Sequence, residues 1–514
     1  MIPVVDLFAG PGGLGEGFSA LTDTRGRHLF RIRLSIEMNE FAHQSLRLRS
    51  FFRQFKNSDV PEEYYDTLRG KLSIQELYER FPDQADASGD EAWQTELGKV
   101  NPVEVDKRIA AKIGSSRNWI LIGGPPCQAY SLAGRSRVKP VDPEKYENDH
   151  RHFLYLEYLR ILATHQPPVF VMENVKGILS STVKGTKIVD QIIRDLQEPF
   201  RSLAPRLQSA SGLSYKLYPL AAYDTENLFA DRERSPSDYV IRSEMHGIPQ
   251  ARHRFILLGV RGDLEWTPGK LRVFPEQIST WDAIGDLPPL RSRLSKEQDS
   301  SREWRTAVAE LVCKISRLNG AVDPEVARRV ITTVPQLSNA ASGGQFVEWS
   351  KRPAWRERWF YDSRLGGVCN HEARGHIKED LWRYMYAACF AALHERSPRL
   401  YDFPSILWPD HQNVTANGAR RGNLPFDDRF RVQLKNKFSS TVTSHISKDG
   451  HYFIHPDARQ CRSLTVREAA RLQTFPDNYF FVGPRTMQYQ QVGNAVPPLL
   501  ASKIARIVAD LYSD

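Results

Sequence analysis

The sequence predicts an α/β protein, a doubly wound sheet covered by helices on both faces, followed by a second and less regular domain. Three observations carry this expectation. Apolar runs of strand length alternate with helical patterns from the first residues to about residue 262. A glycine-rich turn stands directly after the first run, at the edge where open α/β sheets gather ligands. Beyond Gly262 the alternation stops. With 514 residues the chain can bury a large core and has room for two or three domains.

In chain order, "IPVVDLFA" reads as a strand, "LGEGFSALT" as a helix, "FRIRLSIE" as a strand and "MNEFAHQSLRLRSFFRQF" as a helix. Residues 57–100 are polar, "FPDQADASGDEA" included, and read as an insertion on the surface. Order returns with "NWILIGG" (strand), "HFLYLEYLRILATH" (helix), "PPVFVMENV" (strand), a long helix near Gly185 to Phe200, and "HRFILLGVR" (strand). Such a rhythm implies a parallel sheet. Residues 263 to about 440 are rich in Trp, Arg and Pro without a clear period, although "WDAIGDLPPL" suggests a short helix. "LTVREAARLQTFP" and "QVGNAVPPLLASKIARIVADLY" return to amphipathic helix, the latter long enough to pack back on the sheet. The expected division is 1–262, 263–463 and 464–514, with the last segment rejoining the first. There is no internal repeat and no low-complexity tract.

Composition narrows the class. The chain is 41% hydrophobic and 25% charged with no apolar run of the ~18 residues that a membrane span needs. Its opening "MIPVVDLFAG" places a strand where a leader would stand, so a cytoplasmic, nucleoid-associated protein is expected. Five scattered cysteines, Cys127, Cys313, Cys369, Cys389 and Cys461, form no CxxC pair and suit a reducing compartment. A net charge of +9 favours a polyanionic partner. The excess is concentrated between Gln345 and Phe438, with 16 Lys/Arg against 11 Asp/Glu. There "WSKRPAWRERWFYDSR" alternates rings with guanidinium groups, a composition suited to phosphates and stacked bases and equally to a solvated face.

Candidate site residues stand at strand ends. "DLFAGPGGLGEGF" places Gly10, Gly12 and Gly13 where a strand gives way to a helix, allowing backbone to approach a ligand, or simply a tight turn. Glu37 ends the second strand, where an acid can accept from ribose hydroxyls. In "ILIGGPPCQAYS" the stiff Gly-Gly-Pro-Pro loop presents Cys127 at a fixed angle at the end of a later strand, although a lone cysteine is more often a packed small hydrophobe. Glu173 ends the apolar strand of "FVMENVKG", where a partly desolvated carboxyl can hold a proton near neutral pH. Arg252 and Arg254 of "PQARHRF" are two apart on entry to a strand and so share a face.

Six blocks in this order, "DLFAGPGG", "GGPPCQAYS", "MENVKG", "QARHR", "LTVREAARLQTFPD" and "QVGNAVPP", resemble the DNA (cytosine-5)-methyltransferase family, of prokaryotic restriction-modification or orphan type, from Asp6 to Pro498. The resemblance implies a Rossmann-like S-adenosylmethionine-dependent methyltransferase domain with a smaller, irregular target recognition domain at about 263–463. It implies Cys127 as the nucleophile at cytosine C6 and Glu173 as the acid toward ring N3, with Asn174 bracing the loop. Arg254 would contact the base O2 and Arg252 would orient the acid or a phosphate, the division between the two staying open. Contacts to S-adenosylmethionine map to Phe8, Gly10, Gly12, Gly13, Leu14, Glu37 at the ribose, Pro126, Leu154, Asn494 and Val496. The family's adenine-binding aspartate has no clear counterpart, Asp106 being a guess in the blurred register.

The same resemblance implies duplex DNA as partner, with the target base flipped out of the stack. Gln128 and Ser131 would meet DNA beside the cysteine, and Arg420, Arg421, Lys435 and Lys437 would meet phosphates, with "SSTVTSHI" as a strand lining the groove. A monomer is expected, accompanied by a separately encoded endonuclease or defence proteins. No metal is expected, since Cys369, His371, His376 and Cys389 lack a tight ligand knuckle. Two other readings are an RNA (cytosine-5)-methyltransferase of the tRNA branch and a non-catalytic nucleic-acid-binding module. The long recognition segment disfavours the first; the presence of both cysteine and acid disfavours the second.

Overall fold

In a computed structural model that describes residues 1–56, 59–126, 150–183, 186–203, 212–221, 235–318, 322–409 and 427–513, the run "IPVVDL" forms β1 (Ile2–Leu7), whose last four residues are fully buried. Around it stand β2 (Phe30–Glu37), β3 (Ala92–Gln94), β4 (Ile120–Gly123) and β5 (Val169–Val175), all parallel in the order β3-β2-β1-β4-β5. β4 and most of β5 are apolar because both faces are covered. Val5, Leu7, Leu121, Phe170 and Tyr158 meet in the core beneath the helices.

The sheet is mixed, where a parallel one was expected. After β6 (Tyr215–Pro219) and the short β7 (Val240–Arg242), β8 (His253–Arg261) pairs antiparallel with β5, β6 and β7. The physical reason is the connection: "SEMHGIPQAR" is a 3-10 turn (Ser243–His246) and a few extended residues, enough to reverse a strand and too short for a crossover helix.

The polar "insertion" is also more ordered than its composition suggests. Pro82–Glu91 is a helix with proline at its first position, leading directly into β3, which extends the sheet beside β2. The long helix expected near Gly185 to Phe200 is Ile188–Gln197, interrupted before Pro199. "QVGNAVPP" likewise divides two helices, Arg485–Asn494 and Pro498–Asp510.

Two units emerge. The first holds Met1–Val60, Tyr78–Glu276 and Ala495–Asp514; the second holds Pro61–Leu77 and Gln277–Asn494. The divisions thus fall at Glu276 and Asn494, not at 262 and 463. Val466–Leu472 and Arg485–Asn494 belong to the second unit, the former packing on the strand Gly367–Glu372 and the short helix Thr280–Ile284.

That second unit has a helical core in place of the expected irregular one. Trp304, Val308 and Leu311 of Ser301–Ser316 pack with Val326 and Val330 of Pro324–Thr333 and with Leu381 and Met385 of Lys378–His394. Three arginines of the "RSLTVREAARL" stretch are buried with an acceptor on each guanidinium nitrogen. Arg462 makes a two-pronged pair with Glu468, Arg467 donates to the carbonyls of Cys369, Pro476 and Tyr479, and Arg471 bridges Asp286 and Asp477. "SSTVTSHI" is no strand: the Ser440 N–H is taken by the Gln433 side chain, and the segment runs into a 3-10 turn at Ser444–Ser447.

In the first unit the chain ends are fastened by absent side chains. α1 (Gly13–Ser19) lies against Pro498–Asp510 so closely that a Cβ on Gly17 would be 2.4 Å from Ala501 Cβ and Pro498 O. A Cβ on Gly13 would be 2.2 Å from Val496 O. Gly17→Ala is therefore expected to cost about 1–3 kcal/mol by overpacking, read as a lower urea midpoint, whereas Gly269→Ala, with nothing within 4 Å, should move it by less than about 0.5 kcal/mol.

Candidate active site at the carboxyl edge of the sheet

Between β1 and α1 the backbone turns left-handed three times, at Phe8 (φ 57°), Gly10 (φ 57°) and Gly12 (φ 90°). Glycine adopts this without penalty; Phe8 carries strain, the kind that persists where the surroundings over-determine a conformation. The Ala9 N–H bonds to Ile36 O, and Glu37 at the tip of β2 completes the clasp. One of its oxygens accepts the Gly10 N–H at 2.7 Å and the other the Asn39 N–H at 2.7 Å. Burial raises the Glu37 carboxyl above its usual range, and those two N–H donors pull it back. Leu14 is buried on α1, and Val496 is brought against Gly13. Leu154 is a core residue beside Tyr158.

Two residues at this edge escaped the sequence reading. Met38 is an exposed large apolar side chain directly after Glu37. Thr95, whose N–H bonds to Glu37 O, places Glu96 next to the end of β3. A strand of three residues was the missing signal. Asp106, by contrast, is committed elsewhere: both its oxygens accept from Arg160 Nη1, at 2.8 and 2.9 Å, and it lies 3.0 Å from His165 Nε2.

The next strand ends carry a second cluster. The antiparallel register sets Arg254 opposite Val175 and Ile256 opposite Glu173, so Arg254 Nε lies 2.8 Å from Glu173 Oε1, each side chain little exposed. Gly124, after β4, is close enough that a Cβ there would be 3.1 Å from Glu173 Oε2. Asn174 donates through Nδ2 to Pro125 O at 3.1 Å and accepts the Val175 N–H through its oxygen. Thus the end of β5 braces Gly124–Pro126, the last residues before the cysteine. Arg252 is 1% exposed, and burial, with repulsion from Arg254 added, holds its guanidinium well below the usual range while Glu173 opposes the shift. Burial lowers Arg254 in the same way, against the attraction of Glu173. Cys127, Gln128, Ser131, Arg420 and Arg421 lie outside the described residues.

Other candidates lie in the second unit. Lys435 Nζ stands 4.5 Å above the Trp281 ring, and Lys437 Nζ donates to Glu395 O at the carboxyl end of the helix Lys378–His394. Both line a cavity of about 560 Å³, as does Arg329. Asn494 is exposed at the end of its helix. Cys369 and Cys389 are buried thiols, His371 lies between Thr465 Oγ1 and Pro288 O, and His376 meets Ser463 Oγ. Among the described residues no group of three His, Cys, Asp or Glu side chains is arranged to hold a metal ion.

Comparison with known proteins gives this geometry its context. The model of the C-5 cytosine-specific DNA methylase family matches residues 83–199 and 236–509. The chain is 32% identical to Type II methyltransferase M.Bpa9945I of Bacillus paralicheniformis over 99% of both chains. It is 26% identical to Type II methyltransferase M.DdeI of Desulfomicrobium norvegicum over 76% of this chain and 72% of that one. It is also 24% identical to mouse DNA (cytosine-5)-methyltransferase 1 over 97% of this chain and 28% of that one. In fold it is similar to a protein described as a DNA modification methyltransferase encoded within an E. coli prophage (TM-score 0.51, 16% identity, all of both chains covered).

The Glu173–Arg254 pair generates a stability prediction. Removing one partner of a buried pair strands the other charge. Arg254→Met is expected to cost up to about 3 kcal/mol, and the Glu173→Gln/Arg254→Met double variant to recover a large part of it, in a urea-unfolding double-mutant cycle. Strictly additive losses would show that the pair carries no coupling.

Proposed function

The chain belongs to the C-5 cytosine-specific DNA methylase family, and from that premise we propose that it takes its methyl group from S-adenosylmethionine and delivers it to a cytosine flipped out of duplex DNA, with Cys127 as the attacking thiolate. The observation that supports this most is the Glu173–Arg254 ion pair beside the loop that leads into Cys127.

Cytosine C5 is a poor nucleophile until the ring is broken out of aromaticity. Addition of the Cys127 thiolate forms a bond to C6 and drives electron density toward N3, where Glu173 in its protonated form donates. Arg254 holds that carboxyl in place and contacts O2, and Arg252 supports the pair from the interior. C5, now enamine-like, accepts the methyl group that S-adenosylmethionine supplies when bound. Loss of the C5 proton to water, departure of the thiolate and return of the N3 proton to Glu173 restore the ring as 5-methylcytosine.

The residues at the first turn fit an adenosyl cofactor. Glu37 is fixed by two backbone N–H groups and retains lone pairs for two ribose hydroxyls. Phe8, Gly10, Gly12, Gly13, Leu14, Pro126, Leu154, Asn494 and Val496 complete the proposed contacts. Met38 would offer an apolar surface to the base and Glu96 an acid to its amino group.

The second unit takes the recognition role in this reading, and Arg420, Arg421, Lys435 and Lys437 meet DNA phosphates. Gln128 and Ser131 contact DNA around the flipped base. The similarity to Type II methyltransferases supports a place in a restriction-modification system, with the endonuclease separately encoded. Among the described residues no helix is long and apolar enough to cross a membrane; a cytoplasmic monomer acting at the nucleoid completes the proposal.

Tritium transfer from labelled cofactor should be found with duplex DNA and not with tRNA, and Cys127→Ser should abolish it while cofactor still binds. A duplex carrying 5-fluorocytosine at the target should trap the wild-type chain as a denaturation-resistant adduct, because fluorine cannot leave as a proton does. Absence of the adduct would remove Cys127 from the mechanism. Glu173→Gln should slow turnover by about 10²- to 10⁴-fold at little cost in cofactor affinity, and an unchanged rate would sink the acid assignment.

A further inference from the structure

Asp6 is an acid in the interior with little to hold its charge. It lies on β1 just before the left-handed turn and is 0% exposed. Neither side-chain oxygen has a hydrogen bond of ordinary geometry among the described residues. A Cβ on Gly15 would lie 3.1 Å from Oδ2, so the carboxyl faces the head of α1, whose Gly15 N–H partly relieves it. The charges around it offer little more. Glu37 on β2 repels it, and Tyr158 on the helix His150–His165 is a neutral phenol within electrostatic reach. Glu16 on α1 is taken by Arg49. Arg53 on α2 (Glu40–Arg53) attracts Asp6 but is shared with Glu91 at 2.6 Å and Glu16 at 3.6 Å. Burial therefore pushes the Asp6 carboxyl up to about 8.

We propose that Asp6 is a specificity-determining residue for cofactor charge: it is protonated in the free protein and gives up its proton when a sulfonium cation occupies the adjoining site, so that it favours S-adenosylmethionine over S-adenosylhomocysteine. This rests on the reading that the first turn and Glu37 hold the cofactor. Methyl transfer removes the positive charge from sulfur. An ionised Asp6 then has no counter-charge, takes up a proton from solvent, and the product loses the attraction that the methyl donor had. A buried carboxyl feels such a change strongly because little water intervenes.

The sign follows directly. Below its free-state pKa of about 8 Asp6 must release a proton to bind the cation, so affinity for the methyl donor rises with pH up to that value and levels off above it. Calorimetric titration of the full chain with S-adenosylmethionine and with S-adenosylhomocysteine from about pH 6 to about pH 9 tests this. The wild-type ratio of the two Kd values should move about tenfold toward the methyl donor, relative to Asp6→Asn, for each pKa unit by which the cation lowers Asp6. The ligands' own amino groups titrate identically in both proteins and cancel. Should Asp6→Asn fail to fold, heats in two buffers of different ionisation enthalpy decide with wild type alone: more protons are released on binding the methyl donor than its product. Equal proton release, or the same pH profile in both proteins, overturns the role of Asp6 while leaving the cofactor site intact. Failure of either ligand to bind wild type at any pH overturns the cofactor reading and the inference with it.

Discussion

The first unit depends on a contact between backbones. α1 can lie on the C-terminal helix only because residues 13 and 17 have no side chain, and a single methyl group at either would occupy space already filled by Val496 O or by Pro498 and Ala501. That contact joins segments almost the full chain apart. Loop-closure entropy grows only logarithmically with length, so close packing at a few residues can hold such a closure. With α1 fixed, the turn before it has little freedom: Phe8 is held left-handed, and the Gly10 N–H meets Glu37.

The reversal of β8 matters as much to the second half of the edge. A strand parallel to β5 would bring residues from its own carboxyl end to Glu173. The antiparallel strand instead delivers its amino end, and with it Arg254. The outcome is an asymmetric pair of acids on one sheet edge. Glu37 is satisfied by neutral N–H donors, which leaves its charge available to a polar ligand; Glu173 is satisfied by a cation, which steadies its position.

Much of this was legible in the sequence because strands buried on both faces are written as plain apolar runs, and β1, β4, β5 and β8 stand where those runs do, while β2 shows as Phe30, Ile32 and Leu34 alternating with Arg31 and Arg33. The misses have physical causes. β3 is three residues long and follows a polar helix, so neither strand period nor hydrophobicity marks it. The direction of β8 is decided by the length of a turn, not by the strand. Lys378–His394 buries almost its whole circumference and thus has no polar stripe to betray a helix. Ser301–Ser316, with Trp304, Val308, Leu311 and Ile315 on one face, and Pro324–Thr333, with Val326 and Val330, do carry the helical period and capping residues. They were passed over because short amphipathic stretches stand among the Trp, Arg and Pro of a segment read as a whole. The glycine turn was recognised, but what excludes a side chain at Gly13 is the backbone of Val496, a contact from the far end of the sequence that no local pattern announces. The candidate acids and arginines stood out because charged residues rarely end apolar strands without a reason.

The excursion of Pro61–Leu77 into the second unit has a further bearing, on how such a protein can be inherited. Its helix, Glu62–Leu68, is bound there by Tyr65 to Asp362 and by Arg69 to the carbonyls of Arg364 and Leu365. The second unit is thus encoded in two separate stretches of the gene, one short and early, the other long and late. A recombination event that exchanged only the later stretch would unite it with a foreign brace. Lineages diversifying this unit must either keep the brace and its docking residues constant or change both stretches together.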